Sequence, residues 1–182
     1  DVRTEKVSRL AGNIAIGHDR YSNSGESEKQ NSQPLVVRYK EGSFALAHNG
    51  CLVNAGTLRE FLEDEGVIFQ TSTDAEVVAN MIARNYKGDI VRSIQNTMEI
   101  VKGAYAFVLM TEKELIGIRD IYGLRPLCLG KRADGYLLAS ESCGINAMGG
   151  EFIRDVEPGE IVIINKEGIK SIKSNKYAKE SF

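Results

Sequence analysis

Three short polar clusters combine hydrogen-bond donors, a cation and a carboxylate. The first, His48-Asn49-Gly50-Cys51-Leu52-Val53-Asn54, follows an apolar run with strand character at residues 43–47. Asn and Gly adopt positive φ most readily, so the pair predicts a sharp turn where that strand ends. There the Asn49 side-chain NH2 and the Gly50 backbone N–H converge on one point. Two convergent neutral donors are what an oxyanion developing in acyl transfer requires. For the dipeptide alone, an ordinary Asn-Gly turn is the plainer account.

The second cluster, Asp19-Arg20-Tyr21-Ser22-Asn23-Ser24-Gly25-Glu26-Ser27, is too polar and too rich in turn formers for a core element and reads as a surface loop. Arg20 offers the planar fork that suits a carboxylate, with Ser22 and Asn23 as further donors. A solvated loop with an exposed Arg is the plainer account here too. The phosphate-loop spacing G-x-x-x-x-G-K-[ST] is missing. In the third cluster, Thr73 and Glu76 form a capping-box pattern, which puts Asp74 in the first turn of a helix. The helix dipole alone favours a carboxylate there. The same anion is also placed to receive an ammonium group. His18 and His48 each end an apolar stretch and read as structural, since two distant histidines make no metal site.

The elements that must position these clusters follow from periodicity. Residues 13–18 read as a short strand, and residues 34–39 and 43–48 as a hairpin through Lys40-Glu41-Gly42. Leu58, Phe61 and Leu62 give an amphipathic helix over 57–65, ended by Gly66. Val77, Val78, Met81 and Ile82 make the buried stripe of a second helix. A third, capped by Asp89, carries Ile90, Ile94 and Met98, with Gly103 past its end. Strands are then expected at 104–110, 114–119, 127–130, 136–140, 160–165 and 169–172. Strands, then helices, then many strands imply an α+β fold of antiparallel sheets with helices on the outer faces. From Lys173 onward the apolar pattern fades, which suits a linker.

A chain of 182 residues with 42% hydrophobic content has material for one sizeable core. Its net charge of -2 gives no electrostatic reason to expect nucleic acid or an anionic membrane as partner. No apolar run approaches a membrane span, and Asp1-Val2-Arg3-Thr4-Glu5-Lys6 is too charged for a signal peptide. Three widely spaced cysteines argue against a disulfide framework or a zinc site and fit a reducing cytoplasm. The opening on Asp1, in a polar stretch, reads like a piece of something longer.

Taken together, Gly17-His18-Asp19-Arg20-Tyr21-Ser22, His48-Asn49-Gly50-Cys51-Leu52-Val53-Asn54 and Ser72-Thr73-Asp74-Ala75-Glu76-Val77 resemble the class II glutamine amidotransferase domain of the N-terminal nucleophile hydrolases. Asp120-x-x-Gly123-Leu124-Arg125-Pro126-Leu127, Ala139-Ser140-Glu141-Ser142-Cys143 and Val156-Glu157-Pro158-Gly159-Glu160 narrow the resemblance to the amidophosphoribosyltransferase branch. It implies a four-layer αββα sandwich lacking its first elements, over residues 1–172, with 173–182 leading toward a phosphoribosyltransferase domain. By the same resemblance Arg20 would bind the α-carboxylate of glutamine, helped by Asn23, and Asp74 would receive its α-ammonium. Asn49 and Gly50 would form the oxyanion hole. Phosphoribosyl pyrophosphate and Mg2+ would belong to the other domain; no cofactor or metal is implied in this one, and a homo-oligomer is. Glucosamine-6-phosphate synthase, glutamate synthase and asparagine synthetase share the R, N-G and D motifs. From another class, a catalytically inactive amino-acid-binding domain is the alternative.

The sequence departs from the family pattern in three places. Asn23 stands where Thr is usual, and Cys51 where Asn is common; Cys51 reads as a buried small apolar residue. The family nucleophile is a Cys at the mature N-terminus with its own α-amine as base. Asp1 stands first in this sequence, so the nucleophile is expected upstream, and a chain of these residues alone is expected to be inactive on glutamine.

Overall fold

The computed structural model describes residues 12–19, 29–133 and 135–173. Arg20, Asn23 and the end of the expected linker lie outside them. Among the described residues, β1 (Leu35–Tyr39) and β2 (Gly42–Leu52) form the expected hairpin. Three helices follow: α1 (Ala55–Asp64), α2 (Asp74–Asn85) and α3 (Ile90–Met98). Then come β3 (Gly103–Met110), β4 (Leu115–Arg119), β5 (Cys128–Arg132), β6 (Gly135–Ala139), a short helix α4 (Ser142–Ala147), and β7 (Glu151–Asp155), β8 (Glu160–Asn165) and β9 (Gly168–Lys173). One sheet has the order β1-β2-β3-β4-β8-β9 and the other β6-β5-β7, every pairing antiparallel.

Period-two alternation divides the large sheet into two apolar faces. Phe44, Leu46, Phe107, Leu109, Ile116, Ile118, Ile161 and Ile163 pack against Leu58, Leu62, Val77, Val78, Met81, Ile82, Ile94 and Met98 of α1–α3. On the opposite face Ala106, Val108, Val162 and Ile164 meet Leu127, Leu129 and Leu138 of the small sheet. Gly117 lets the sheets approach: a Cβ there would sit 2.9 Å from Leu138 Cδ1. The outer face of the small sheet is covered by α4, whose buried Ile145 fills the space above Gly130. The four layers are therefore helix, sheet, sheet, helix, as expected.

Several local expectations are corrected. Residues 13–18 form no strand. The segment does alternate between half-buried and exposed positions, but it has no ladder partner among the described residues. The Asn49-Gly50 turn does not exist either. β2 runs on to Leu52, with Asn49 opposite Ala106 and Gly50 opposite Tyr105. Of the pair only Gly50 has positive φ, at 140°, inside the strand, and no non-Gly residue among those described has it. The capping box also fails: Thr73 is the N-cap of α2, yet its side chain makes no cap hydrogen bond. Phe61 is 43% exposed rather than buried in the α1 stripe, and the Arg84 guanidinium lies over its ring. The Asp89 cap is present, accepting from the Val91 and Arg92 N–H groups. Both α4 and β7 escaped the sequence reading.

Candidate glutamine site

β2 presents its functional residues on alternate faces. By strand parity Asn49 shares the sheet–sheet face with Ala47, and His48 shares the helix face with Leu46. Asn49 lines a cleft of about 360 Å³ together with His18, His48, Ala106, Leu138 and Ser140. The cleft opens between the two sheets, with residues 15–18 along it. Gly50 is not a lining residue. Its role in the strand is steric, because a Cβ there would overlap the Ala104 carbonyl. Only glycine allows β3 to pair this closely with β2 at that point.

Asp74 opens α2 and reaches back to the same strand. Its Oδ2 accepts the Leu52 N–H at 2.9 Å. One carboxylate thus fixes the start of a helix against the end of the strand that carries Asn49 and Gly50, leaving lone pairs for a ligand. The loop entering α2 is tied down by side chains: Glu76 accepts from the N–H groups of Gln70 and Thr71. These two contacts correct the expected reach of Glu76 to the N-cap.

His48 is 6% exposed, and its ring packs on Phe107 with centroids 4.8 Å apart. Its backbone N–H donates to Gln33 Oε1 at 2.7 Å. His18 Nε2 lies 3.1 Å from the His48 carbonyl oxygen, so Nε2 carries the proton and donates. His18 Nδ1 and His48 Nε2 are buried without a hydrogen-bond partner among the described residues. Burial pushes the His48 imidazole down to about 4. Nearby Asp74 pulls it upward, while His18 and Arg125 add to the depression. His48 is therefore neutral near pH 7.

The motif at 120–126 is architectural. Asp120, fully buried, accepts from the N–H groups of Tyr105, Tyr122, Leu124 and Arg125. Arg119 donates to the carbonyls of Gly123, Arg125 and Val156. Together they hold this loop at the same end of the sheet as Asn49, since Asn49, Ala106 and Arg119 are cross-strand neighbours. Cys51 corrects another expectation: it is exposed, not buried. Gln33, Asn31 and Arg59 support the site and were not singled out in the sequence; the polar run Gln30-Asn31-Ser32-Gln33 before Pro34 was the available signal. Among the described residues no group of three or more His, Cys, Asp or Glu is placed to hold a metal ion. No described helix is long and apolar enough to cross a membrane.

With this geometry in place, comparisons with known proteins identify the class. The family model for the glutamine amidotransferase domain matches residues 18–147, and the chain belongs to that family. Its relatives are amidophosphoribosyltransferases. That of Bacillus subtilis is 48% identical over 167 residues, covering 91% of this chain and 35% of the relative. That of Archaeoglobus fulgidus is 44% identical, covering 93% and 37%. The chain thus spans about a third of the length of the curated relatives it matches. Among solved structures, the glutamine phosphoribosylpyrophosphate amidotransferase of B. subtilis, complexed with ADP and GMP, superposes with a TM-score of 0.81 at 47% identity over 87% of this chain and 34% of its own. A glutamine aminotransferase class-II domain protein from Silicibacter pomeroyi, at 14% identity over 71% of this chain and 65% of its own, has a TM-score of 0.53 and supports the fold alone.

Proposed function

We propose that this chain is the glutaminase part of an amidophosphoribosyltransferase, releasing ammonia from glutamine for transfer to phosphoribosyl pyrophosphate in purine synthesis. The observation that supports this reading is the junction of β2 with α2, where the Asp74 carboxylate accepts the Leu52 N–H two residues beyond Asn49-Gly50 on the same strand. In the proposed reaction a cysteine thiolate attacks the side-chain amide carbon of glutamine. The carbonyl π electrons move onto oxygen, and the Asn49 NH2 and the Gly50 N–H stabilise the resulting oxyanion. The base that took the thiol proton returns it to the amide nitrogen. Collapse breaks the C–N bond, expels ammonia and leaves a thioester, which water then hydrolyses to glutamate and the free thiol. The nucleophile would be a cysteine at the mature N-terminus with its α-amine as base. Asp74 would take the α-ammonium of the substrate, and Arg20 and Asn23 its α-carboxylate. Phosphoribosyl pyrophosphate and Mg2+ would bind the other domain. The three free cysteines fit a reducing cytoplasm.

The test is glutamate release by the full-length protein that contains this chain, with and without phosphoribosyl pyrophosphate. Asn49→Ala is expected to lower kcat by roughly a hundredfold or more, the usual effect of removing one oxyanion donor. Wild-type protein that releases no glutamate, or an Asn49→Ala variant as fast as wild type, overturns the reading.

A further inference from the structure

The family motif Ser72-Thr73-Asp74-Ala75-Glu76 contains a second acid that the chemistry above leaves unused. Glu76 is 6% exposed, on the first turn of α2. A capping box would direct its carboxylate to the N-cap amide. Instead Oε2 accepts from the Thr71 N–H at 2.6 Å and the Thr71 hydroxyl at 2.8 Å, while Oε1 accepts from the Gln70 N–H at 2.8 Å. The Thr71 hydroxyl extends the network, accepting from the Thr73 N–H at 3.2 Å.

The same short segment is held from two other directions. Arg59 of α1 stacks over the Phe69 ring and donates to the carbonyls of Thr71 and Thr73. Asn31 accepts from the Ser72 N–H and donates to the Ser72 hydroxyl. Residues 70–73 are thus irregular backbone whose polar groups are satisfied by side chains rather than by a ladder. The next residue is Asp74, bonded to the Leu52 N–H.

We infer that Glu76 is a positioning residue for glutamine binding: it fixes residues 70–73 so that Asp74 is presented both to β2 and to the substrate ammonium. This rests on the glutaminase reading for its substrate, though not for its geometry. A carboxylate matches the site because all three of its partners are donors. A glutamine amide in its place turns an NH2 toward an N–H or O–H and leaves one buried donor without an acceptor. The segment then relaxes and carries Asp74 with it. A shift of about 1 Å in a positioning group is enough to weaken a bound geometry severely.

The experiment uses the full-length protein with Glu76→Gln and, as a milder change that keeps the helix intact, Thr71→Val. Glutamine KM is expected to rise roughly tenfold for Glu76→Gln and about threefold for Thr71→Val, with kcat within about twofold of wild type. Hydrogen exchange of the peptide covering residues 69–74 is expected to quicken in both variants, while exchange in the second half of α2 is unchanged. A role in stability alone predicts a lower active fraction, hence lower kcat at unaltered KM, and that result overturns the inference. Unaltered exchange at 69–74 overturns it as well. Wild-type protein without glutaminase activity removes the substrate reading, while the exchange data still decide whether Glu76 holds the segment.

Discussion

The carboxylate of Asp74 accepts the Leu52 N–H at 2.9 Å, joining the first turn of α2 to the end of β2 just beyond Gly50. The bond gives one residue two separable jobs, and substitutions divide them. Asp74→Asn keeps an oxygen for Leu52 but loses the charge that would meet an ammonium group. Its glutamine KM is expected to rise by about a hundredfold, with folding stability within roughly 1 kcal/mol of wild type. Asp74→Ala also strips Leu52 of its acceptor and is expected to cost a further 1–3 kcal/mol or so in urea unfolding. Equal stabilities for the two variants would show that the Leu52 bond contributes nothing.

Gly50 is constrained by the backbone of β3. With φ at 140° and the Ala104 carbonyl where a Cβ would stand, Gly50→Ala must open the β2–β3 ladder. The expected loss exceeds about 3 kcal/mol. Gly56→Ala is the control: it lies in α1, with nothing within 4 Å of the added Cβ. It is expected to stabilise by roughly 0.5–1 kcal/mol through helix propensity. Chemical denaturation of both variants checks the contrast.

These sites show which features periodicity can reveal. The stripe Val77, Val78, Met81 and Ile82 and the strand at 160–165 were legible because each buries one pattern against a large core. β7 was not, since Phe152 and Ile153 remain exposed on an edge strand and mimic no alternation. α4 has only six residues, Gly144 among them, and owes its place to Ile145 packing against the small sheet. At Asn49-Gly50 local propensity pointed to a turn, but pairing with β3 carried the strand through. The pattern of motif residues nevertheless falls together in space, since Asn49 lies near the end of β2 that Asp74 holds through the Leu52 N–H. The contact from Glu76 to Thr71 could not be read from spacing. A capping box and a loop clamp share the same sequence, and only the path of residues 70–73 separates them.

Glu160 ties the two sheets together. It is 1% exposed and pairs with Arg154 of β7 through both carboxylate oxygens, while also accepting from the Glu157 N–H and the Ser171 hydroxyl. Burial alone pushes the Glu160 carboxyl upward, but Arg154, Ser171 and the Glu157 amide outweigh it and hold the group below its ordinary range. A depressed carboxyl contributes stability above its unfolded pKa and loses it as pH falls through the folded one. Arg154→Ala strands the buried charge and is expected to cost about 3–5 kcal/mol at neutral pH. That deficit should shrink in acid, once Glu160 is protonated in both proteins. A deficit independent of pH would rule out the ion pair as its source.

His48 gives a dependence of the same sign in a different pH window. Its ring, packed on Phe107 and facing Asp74, His18 and Arg125, titrates near 4 when folded, against 6.5 for an ordinary histidine. Between these values the unfolded chain binds a proton that the folded chain refuses, so stability rises with pH across the window. Above about pH 6.5 both states are neutral and the contribution is flat. Moving down from there, folding must exclude a proton, and the cost approaches roughly 3 kcal/mol by pH 4. Asp74 limits the effect by favouring the imidazolium, so Asp74→Asn is expected to steepen it. His48→Gln, which carries no titrating ring, removes the slope but also leaves a different packing against Phe107. The informative quantity is therefore the difference in unfolding free energy between wild type and His48→Gln, followed from pH 7.5 to 4. That difference is expected to shift steadily in favour of the variant as the pH falls below 6.5; a constant offset would mean that His48 accepts its proton in the folded protein as readily as in the unfolded chain.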